Sequence, residues 1–288
     1  MSNASPPIPI RHPPHALMPG TSRTLAGMIR AWASKQWRAL LPAACLLCEH
    51  RADGPLCRRC EQCYWHADDA VPRCEHCAVR LSLQAPPARE REGVRAALRR
   101  CGQCHIRPPA FDAAIALADY RAPLDALIVA LKYQGRVGLA SDFAQRLACR
   151  LTTMPASARP DLLIPAPLSP ERLATRGYNQ AWEITRRLGA HLAIGTHAGL
   201  LQRAHTEAQA KLGRAARQRN LQRAFSLVGG VSLTALDTMS EADASTIGIH
   251  VGVVDDVMTT GATLDAIATT LKRHGARRVT AIVVFRTA

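Results

Sequence analysis

Nine of the chain's ten cysteines fall between Cys45 and Cys104, and eight of them form four C-x-x-C pairs: Cys45/Cys48, Cys57/Cys60, Cys74/Cys77 and Cys101/Cys104. A C-x-x-C turn aims two thiolates at one point, so two such turns complete a tetrahedral Zn2+ site. The four pairs therefore predict one or two structural zinc ions. Disulfides would need an oxidising compartment, and iron–sulfur ligation is a second alternative. The spacing leaves the grouping open. Cys45/Cys48 with Cys57/Cys60 makes a tight knuckle, and Cys74/Cys77 with Cys101/Cys104 closes a longer loop, but the crossed arrangement uses the same ligands. Cys63 is a spare thiol or an alternative ligand. His50, His66, His76 and His105 could each replace a thiolate, although eight cysteines suffice and surface positions are the simpler expectation.

A second concentration of chemistry lies near the other end, in the run from Ile249 to Leu264, IHVGVVDDVMTTGATL. An apolar strand carries the chain to the carboxyl edge of a sheet, where open α/β folds bind ligands. Two adjacent carboxylates, Asp255 and Asp256, then stand at that edge. The loop Met258, Thr259, Thr260, Gly261, Ala262 and Thr263 runs into a helix. Small residues let backbone N–H groups approach a phosphate, the helix dipole favours negative charge, and the threonines offer hydroxyl donors. Gly261 permits a backbone that a bulkier residue would resist. Carboxylates suit a diol and the loop suits a phosphate, so a sugar phosphate matches both halves. The element resembles the 5-phosphoribosyl 1-diphosphate (PRPP) motif of type I phosphoribosyltransferases.

That resemblance directs attention to further parts. The segment from Leu163 to Gln180, LIPAPLSPERLATRGYNQ, follows a strand and precedes a helix, where the fold keeps its pyrophosphate loop. Arg172, Arg176 and the amides near Gly177 could hold a diphosphate, and Asn179 could cap the next helix. The strongly basic segment from Arg203 to Phe225, which includes Lys211, stands where a flexible hood would close over the reaction; a solvated basic helix explains it equally well. Lys132 lines the same cleft or lies on the surface. The resemblance implies that Mg2+ accompanies PRPP, that Asp255 and Asp256 receive the ribose hydroxyls, and that Arg176, with Arg203 or Lys211, stabilises departing pyrophosphate.

These residues need a scaffold, and the rest of the chain supplies one. Strands are predicted at 111–120, 161–165, 249–254 and 278–285, with helices from 123, over 137–151, after Asn179 and over 264–274. Apolar strands alternating with helices predict a mostly parallel α/β sheet. With 48% apolar residues among 288, wholesale disorder is excluded. No apolar run reaches the ~18 residues of a membrane span. The formal charge of +15 points to nucleic acid or phosphate, although only four of the 37 basic residues are lysines, and such an arginine bias can be genomic. Residues 1–22 predict a disordered tail without the apolar stretch of a secretory signal. Residues 25–41 form a candidate basic amphipathic helix, for which a transit peptide is the alternative. The expected division is 1–43 tail and lead-in, 44–110 zinc-ribbon-like module, and 111–288 phosphoribosyltransferase-like domain.

In order, the Cys-rich module, LKYQGR, IPAPLSPERLATRGYNQ, the pattern Arg203/Thr206/Gln209, the run from Arg217 to Phe225 and VVDDVMTTGAT resemble the ComF family of competence-associated proteins, which is related to proteins for using DNA as a nutrient. The resemblance covers about residues 44–288. It implies a double zinc ribbon fused to a type I phosphoribosyltransferase domain, acting in the cytoplasm on incoming single-stranded DNA, with a competence helicase as a candidate partner. Ser169 and Glu171 stand where more basic residues are expected of that family, and 231–246 resembles a surface insertion. A second class of function remains: a catalytically idle PRPP-fold module that holds single-stranded DNA or a helicase. Aromatics are only 4%, which favours contacts to the nucleic-acid backbone over base stacking.

Overall fold

The computed structural model describes residues 43–66, 71–81, 100–203, 224–230, 233 and 248–288. The expected tail and helical lead-in, Thr206, Gln209, Lys211 and most of the basic 203–225 segment lie outside the described residues.

The Cys-rich stretch begins with a small antiparallel pair, β1 (Ala43–Ala44) and β2 (Arg51–Ala52), then a helical segment over Arg58–Trp65, and ends on α1 (Gly102–Ile106). The α/β part follows as β3 (Ala113–Asp119), α2 (Asp125–Tyr133), α3 (Leu139–Thr152), β4 (Leu162–Pro165), α4 (Pro170–Arg176), α5 (Gln180–Leu192) and β5 (Gly195–Thr196). A short antiparallel pair comes next, β6 (Leu201–Arg203) with β7 (Phe225–Leu227), and then β8 (His250–Met258), α6 (Ala262–Arg273) and β9 (Arg278–Arg286). Five strands form one parallel sheet in the order β3-β9-β8-β4-β5. The parallel α/β architecture expected from the alternating pattern is therefore present, and β8 lies at its centre.

Both faces of the sheet are covered, which is why its strands are apolar along their whole length rather than alternating. Leu127 and Ile128 of α2, Phe143 and Leu147 of α3 and Ile184 of α5 pack on one face with Val254, Ile282 and Val284. Leu264, Ile267 and Leu271 of α6 pack on the other with Val253, Ala281 and Val283. The Cys-rich stretch is built into these same layers. Cys45, Leu56, Cys60 and Trp65 belong to the first cluster, and Cys74, Cys77, Ala78 and Cys104 to the second. Trp65 stacks on Phe143 at 6.1 Å and meets Phe285 edge-on at 5.6 Å, and the Arg146 guanidinium lies 4.6 Å above the Trp65 ring.

Gly252 sits in the middle of β8 because there is no room for more. A Cβ there would lie 2.6 Å from Leu163 Cδ2, 2.8 Å from Pro160 Cγ and 3.0 Å from Ile282 Cδ1. Gly252→Val should therefore destabilise the fold by about 2 kcal/mol, seen as a melting temperature about 4–8 °C lower. An unchanged melt would show that the sheet yields at this point.

Next to it, buried His250 contacts Thr280 Oγ1 through Nε2 at 2.8 Å. Burial, with Arg278 close by, holds its pKa down to about 4. Unfolded histidine takes up its proton near pH ~6.5, so between these values the unfolded chain binds a proton that the folded chain excludes. Stability should fall as pH drops from about 6.5 to about 4. Urea midpoints measured across that range should be flatter in His250→Gln.

Candidate functional site

The carboxyl end of β8 carries Asp255 and Asp256 on the central strand itself, not on the loop after it. Asp256 is only 3% exposed. Two groups from neighbouring helices meet it: Lys132 Nζ, near the end of α2, lies 2.5 Å from Asp256 Oδ2, and Gln180 Nε2, first in α5, donates to Asp256 Oδ1 at 3.4 Å. The Asp256 N–H donates to Asp255 Oδ1 at 2.9 Å. Burial and the adjacent Asp256 carboxylate push the Asp255 carboxyl well above the usual range, with Lys132 opposing the rise. The pair therefore places adjacent carboxyl oxygens at the end of the central strand, with Lys132 and Gln180 already engaged at Asp256.

These acids open into a cleft of about 650 Å³ that is also walled by Arg172, Arg176, Arg203 and Thr263. Arg176 Nη1 donates to Gln180 Oε1, and its guanidinium lies 5.3 Å from the centre of the Tyr133 ring. The Tyr178 hydroxyl donates to the Leu131 carbonyl and so ties the start of α5 to the end of α2. Burial, together with the nearby Arg172, pushes the Arg203 guanidinium down from its ordinary value, while Asp255 and Glu171 oppose the shift. Crowded guanidinium groups facing open space favour an anion between them. The stretch expected as a pyrophosphate loop is partly helical: Pro170 occupies the first turn of α4, and Gly177 in a left-handed conformation ends it. Asn179 does cap α5, its side chain accepting from the Ala181 N–H at 2.9 Å and donating to the Ala166 carbonyl at 3.1 Å.

Beyond β8 the loop turns through exposed Thr259 and Thr260 into α6, with Gly261 at its N-cap and φ of 79°. Only glycine takes this backbone without strain. Ala262 opens the helix and its N–H meets Thr260 Oγ1 at 3.3 Å. The Met258 side chain packs in the core at 2% exposure, so only its backbone is available to the loop.

Of the candidates expected from sequence, Asp255, Asp256, Lys132, Arg172, Arg176, Arg203 and Thr263 line one cleft. Met258, Thr259, Thr260, Gly261, Ala262 and Gly177 are not on its wall. The sequence reading missed Tyr133, Glu171 and Gln180, which do line it. Each stands in a stretch already singled out, LKYQGR or SPERLATRGYNQ, but nothing local indicates that these stretches converge on the acids.

The cysteines group sequentially, not crosswise. Cys45, Cys48, Cys57 and Cys60 form one group and Cys74, Cys77, Cys101 and Cys104 the other, with the four Sγ atoms of each within 4.8 Å of one another. Cys48 and Cys57 Sγ lie 3.6 Å apart, as do Cys77 and Cys101 Sγ. Tetrahedral zinc with Zn–S of about 2.3 Å requires sulfurs roughly 3.8 Å apart, so both groups fit that ion. Burial alone would raise Cys45, but N–H donors from Cys57, Leu47 and Cys48 outweigh it and leave the thiol at about 6. Cys74 is likewise buried yet held at about 7 by backbone donors of Cys101, Cys77 and His76. Cys63, His50, His66 and His105 are exposed; His76 is not, contrary to the surface placement expected, because its Nε2 contacts the Phe111 carbonyl at 2.5 Å beneath the second group. Native mass spectrometry should find two zinc ions per chain, and one in Cys48→Ser or Cys101→Ser. A single ion in the unaltered chain would contradict the two-site assignment.

A family model described as the phosphoribosyl transferase domain matches residues 207–288. Competence protein F of Haemophilus influenzae is 28% identical over 242 residues, covering 82% of this chain and 93% of that protein. DNA utilization protein YhgH of Salmonella typhi is 32% identical over 194 residues, covering 65% of this chain and 78% of that protein. Among solved structures, a hypoxanthine phosphoribosyltransferase from Staphylococcus aureus aligns with 52% of this chain and 64% of its own, at 11% identity and a TM-score of 0.31. With its two four-cysteine groups set against a parallel phosphoribosyltransferase-type sheet, the chain belongs to the ComF/YhgH family of competence and DNA-utilization proteins.

Proposed function

We propose that this protein binds Mg2+–PRPP in the cleft at the end of β8 and transfers its phosphoribosyl group, in the service of DNA uptake or DNA use as a nutrient. One observation carries the reading: adjacent aspartates, one buried and one half-buried, and several guanidinium groups share one cleft beside a glycine-bearing strand-to-helix loop. Carboxylates accept hydrogen bonds from a ribose diol, and the arginines meet the diphosphate. The amides of the Thr259–Thr263 loop receive the 5′-phosphate.

In the reaction a nucleophile forms a bond to ribose C1 as the C1–O bond to pyrophosphate breaks, and the bonding electrons leave with the pyrophosphate. The cationic sugar that develops is stabilised by the Asp255 and Asp256 carboxylates, and the departing charge by Arg176, Arg172 and Arg203. Mg2+, when bound, would supply charge neutralisation on the diphosphate, and Asp255, Asp256 and Glu171 are the cleft carboxylates that could help hold it. Lys132 holds Asp256 in place through their ion pair. The relatives' names support a role in DNA handling, and we place that role in the cytoplasm.

A second reading rests on Arg51, Arg58 and Arg59, which are exposed around the first four-cysteine group. They make a surface for a nucleic-acid backbone, whether or not the cleft turns over substrate. Calorimetry should show Mg2+-dependent PRPP binding that Asp255→Asn/Asp256→Asn abolishes. DNA uptake that survives this double change would sink the transferase reading. Absence of single-stranded DNA binding even at low salt would remove the second.

A further inference from the structure

We propose that Arg286 is a positioning residue that aims the backbone of the phosphate loop and couples that loop to the second four-cysteine group. Its ligand-linked consequence rests on the PRPP reading above; its geometry does not. Arg286 ends β9 and is 8% exposed. Its Nε donates to the Cys77 carbonyl at 2.9 Å. Its Nη1 donates to the Met258 carbonyl at 3.3 Å, to the Thr259 carbonyl and to the Thr287 carbonyl at 2.6 Å. Thr287 reinforces the clamp, its N–H donating to Met258 O at 3.1 Å and its hydroxyl to Thr259 O at 3.2 Å.

A guanidinium is a rigid planar fork, so anchoring Nε fixes the direction of the other N–H groups. In a trans peptide the C=O of one residue and the N–H of the next point opposite ways. Pinning the Met258 and Thr259 carbonyls to Arg286 therefore turns the N–H groups of Thr259 and Thr260 away from the core. Those are amides an anion at the loop would meet. The clamp also places a fixed positive charge behind the loop, where burial limits its screening.

The Nε anchor is the carbonyl of a residue in the second thiol group, Cys77 beside Cys74, Cys101 and Cys104. Metal in that group holds the knuckle and with it the fork. The first group, Cys45 to Cys60, packs instead with Trp65 and α3. Coupling is reciprocal, so a ligand that stills the loop also steadies the second metal site.

Hydrogen exchange on the full-length, zinc-loaded protein tests this directly. In Arg286→Lys, which keeps the charge and loses the fork, amides of 257–263 should exchange at least about fivefold faster. Cys101→Ser should do the same and Cys48→Ser should not. Unchanged exchange in Arg286→Lys, or equal effects of the two cysteine variants, overturns the proposal. A second measurement follows zinc transfer to a chromogenic chelator with and without Mg2+–PRPP. One of the two ions should leave about fivefold more slowly with the ligand, and Arg286→Lys should lose that protection. If PRPP binds by calorimetry but protects neither ion, the coupling is wrong. If PRPP does not bind at all, the functional reading falls and the exchange result alone decides the role of Arg286.

Discussion

Two neighbouring carboxylates at the buried end of a strand are costly unless cations and donors come to meet them. At Asp255 and Asp256 that demand organises the cleft. Lys132 reaches Asp256 from the end of α2, and Gln180 reaches it from the start of α5. Gln180 is held in turn by Arg176, so the last residue of α4 is drawn to the same place. The Tyr178 hydroxyl locks α2 to the α4–α5 junction. Segments far apart in the chain, around Lys132, Arg176 to Gln180 and Asp256, thus converge on these acids, and the arginines line the same cleft.

The Cys-rich stretch is not an appendage to this sheet. Its first group shares a core with α2 and α3 through Trp65, Phe143 and Phe285. Arg146 braces that contact with ion pairs to Asp142 and Glu61. Its second group lies on the α6 side, where Arg73 and Arg80 both pair with Asp119 at the end of β3. A short stretch with few large apolar side chains has little core of its own. Leaning on both faces of a formed sheet, together with two sites suited to metal, answers that deficit.

Much of this was legible in the residues alone. The helices and most of the strands appeared close to their observed limits, because apolar runs bounded by proline, glycine and polar turns encode them locally, but β8 runs on from the expected end at 254 to Met258 and carries both acids. The aspartate pair, the threonine loop and all eight paired cysteines were visible for the same reason. Two local features are not recovered that way. Residues 170–176 read as part of a loop, although Pro170 and Gly177 bracket a helix. His76 is expected at the surface, although it is buried beneath the second thiol group. Arg286 carried no signal at all, since a single arginine ending a strand looks like any other.

The amino-acid sequence by itself therefore determined the kinds of chemistry present and the class of fold that carries them, because each depends on residues within a turn or a strand of one another. Only the tertiary structure decided which C-x-x-C pairs face each other, that Lys132 pairs with Asp256 while Arg172 and Arg203 stand at the opening, and that Arg286 bridges a thiol knuckle and the loop. Those relations join segments far apart in the chain. They are set by how helices pack on a twisted sheet and by the need to satisfy every buried charge and carbonyl, and no short pattern of residues records them.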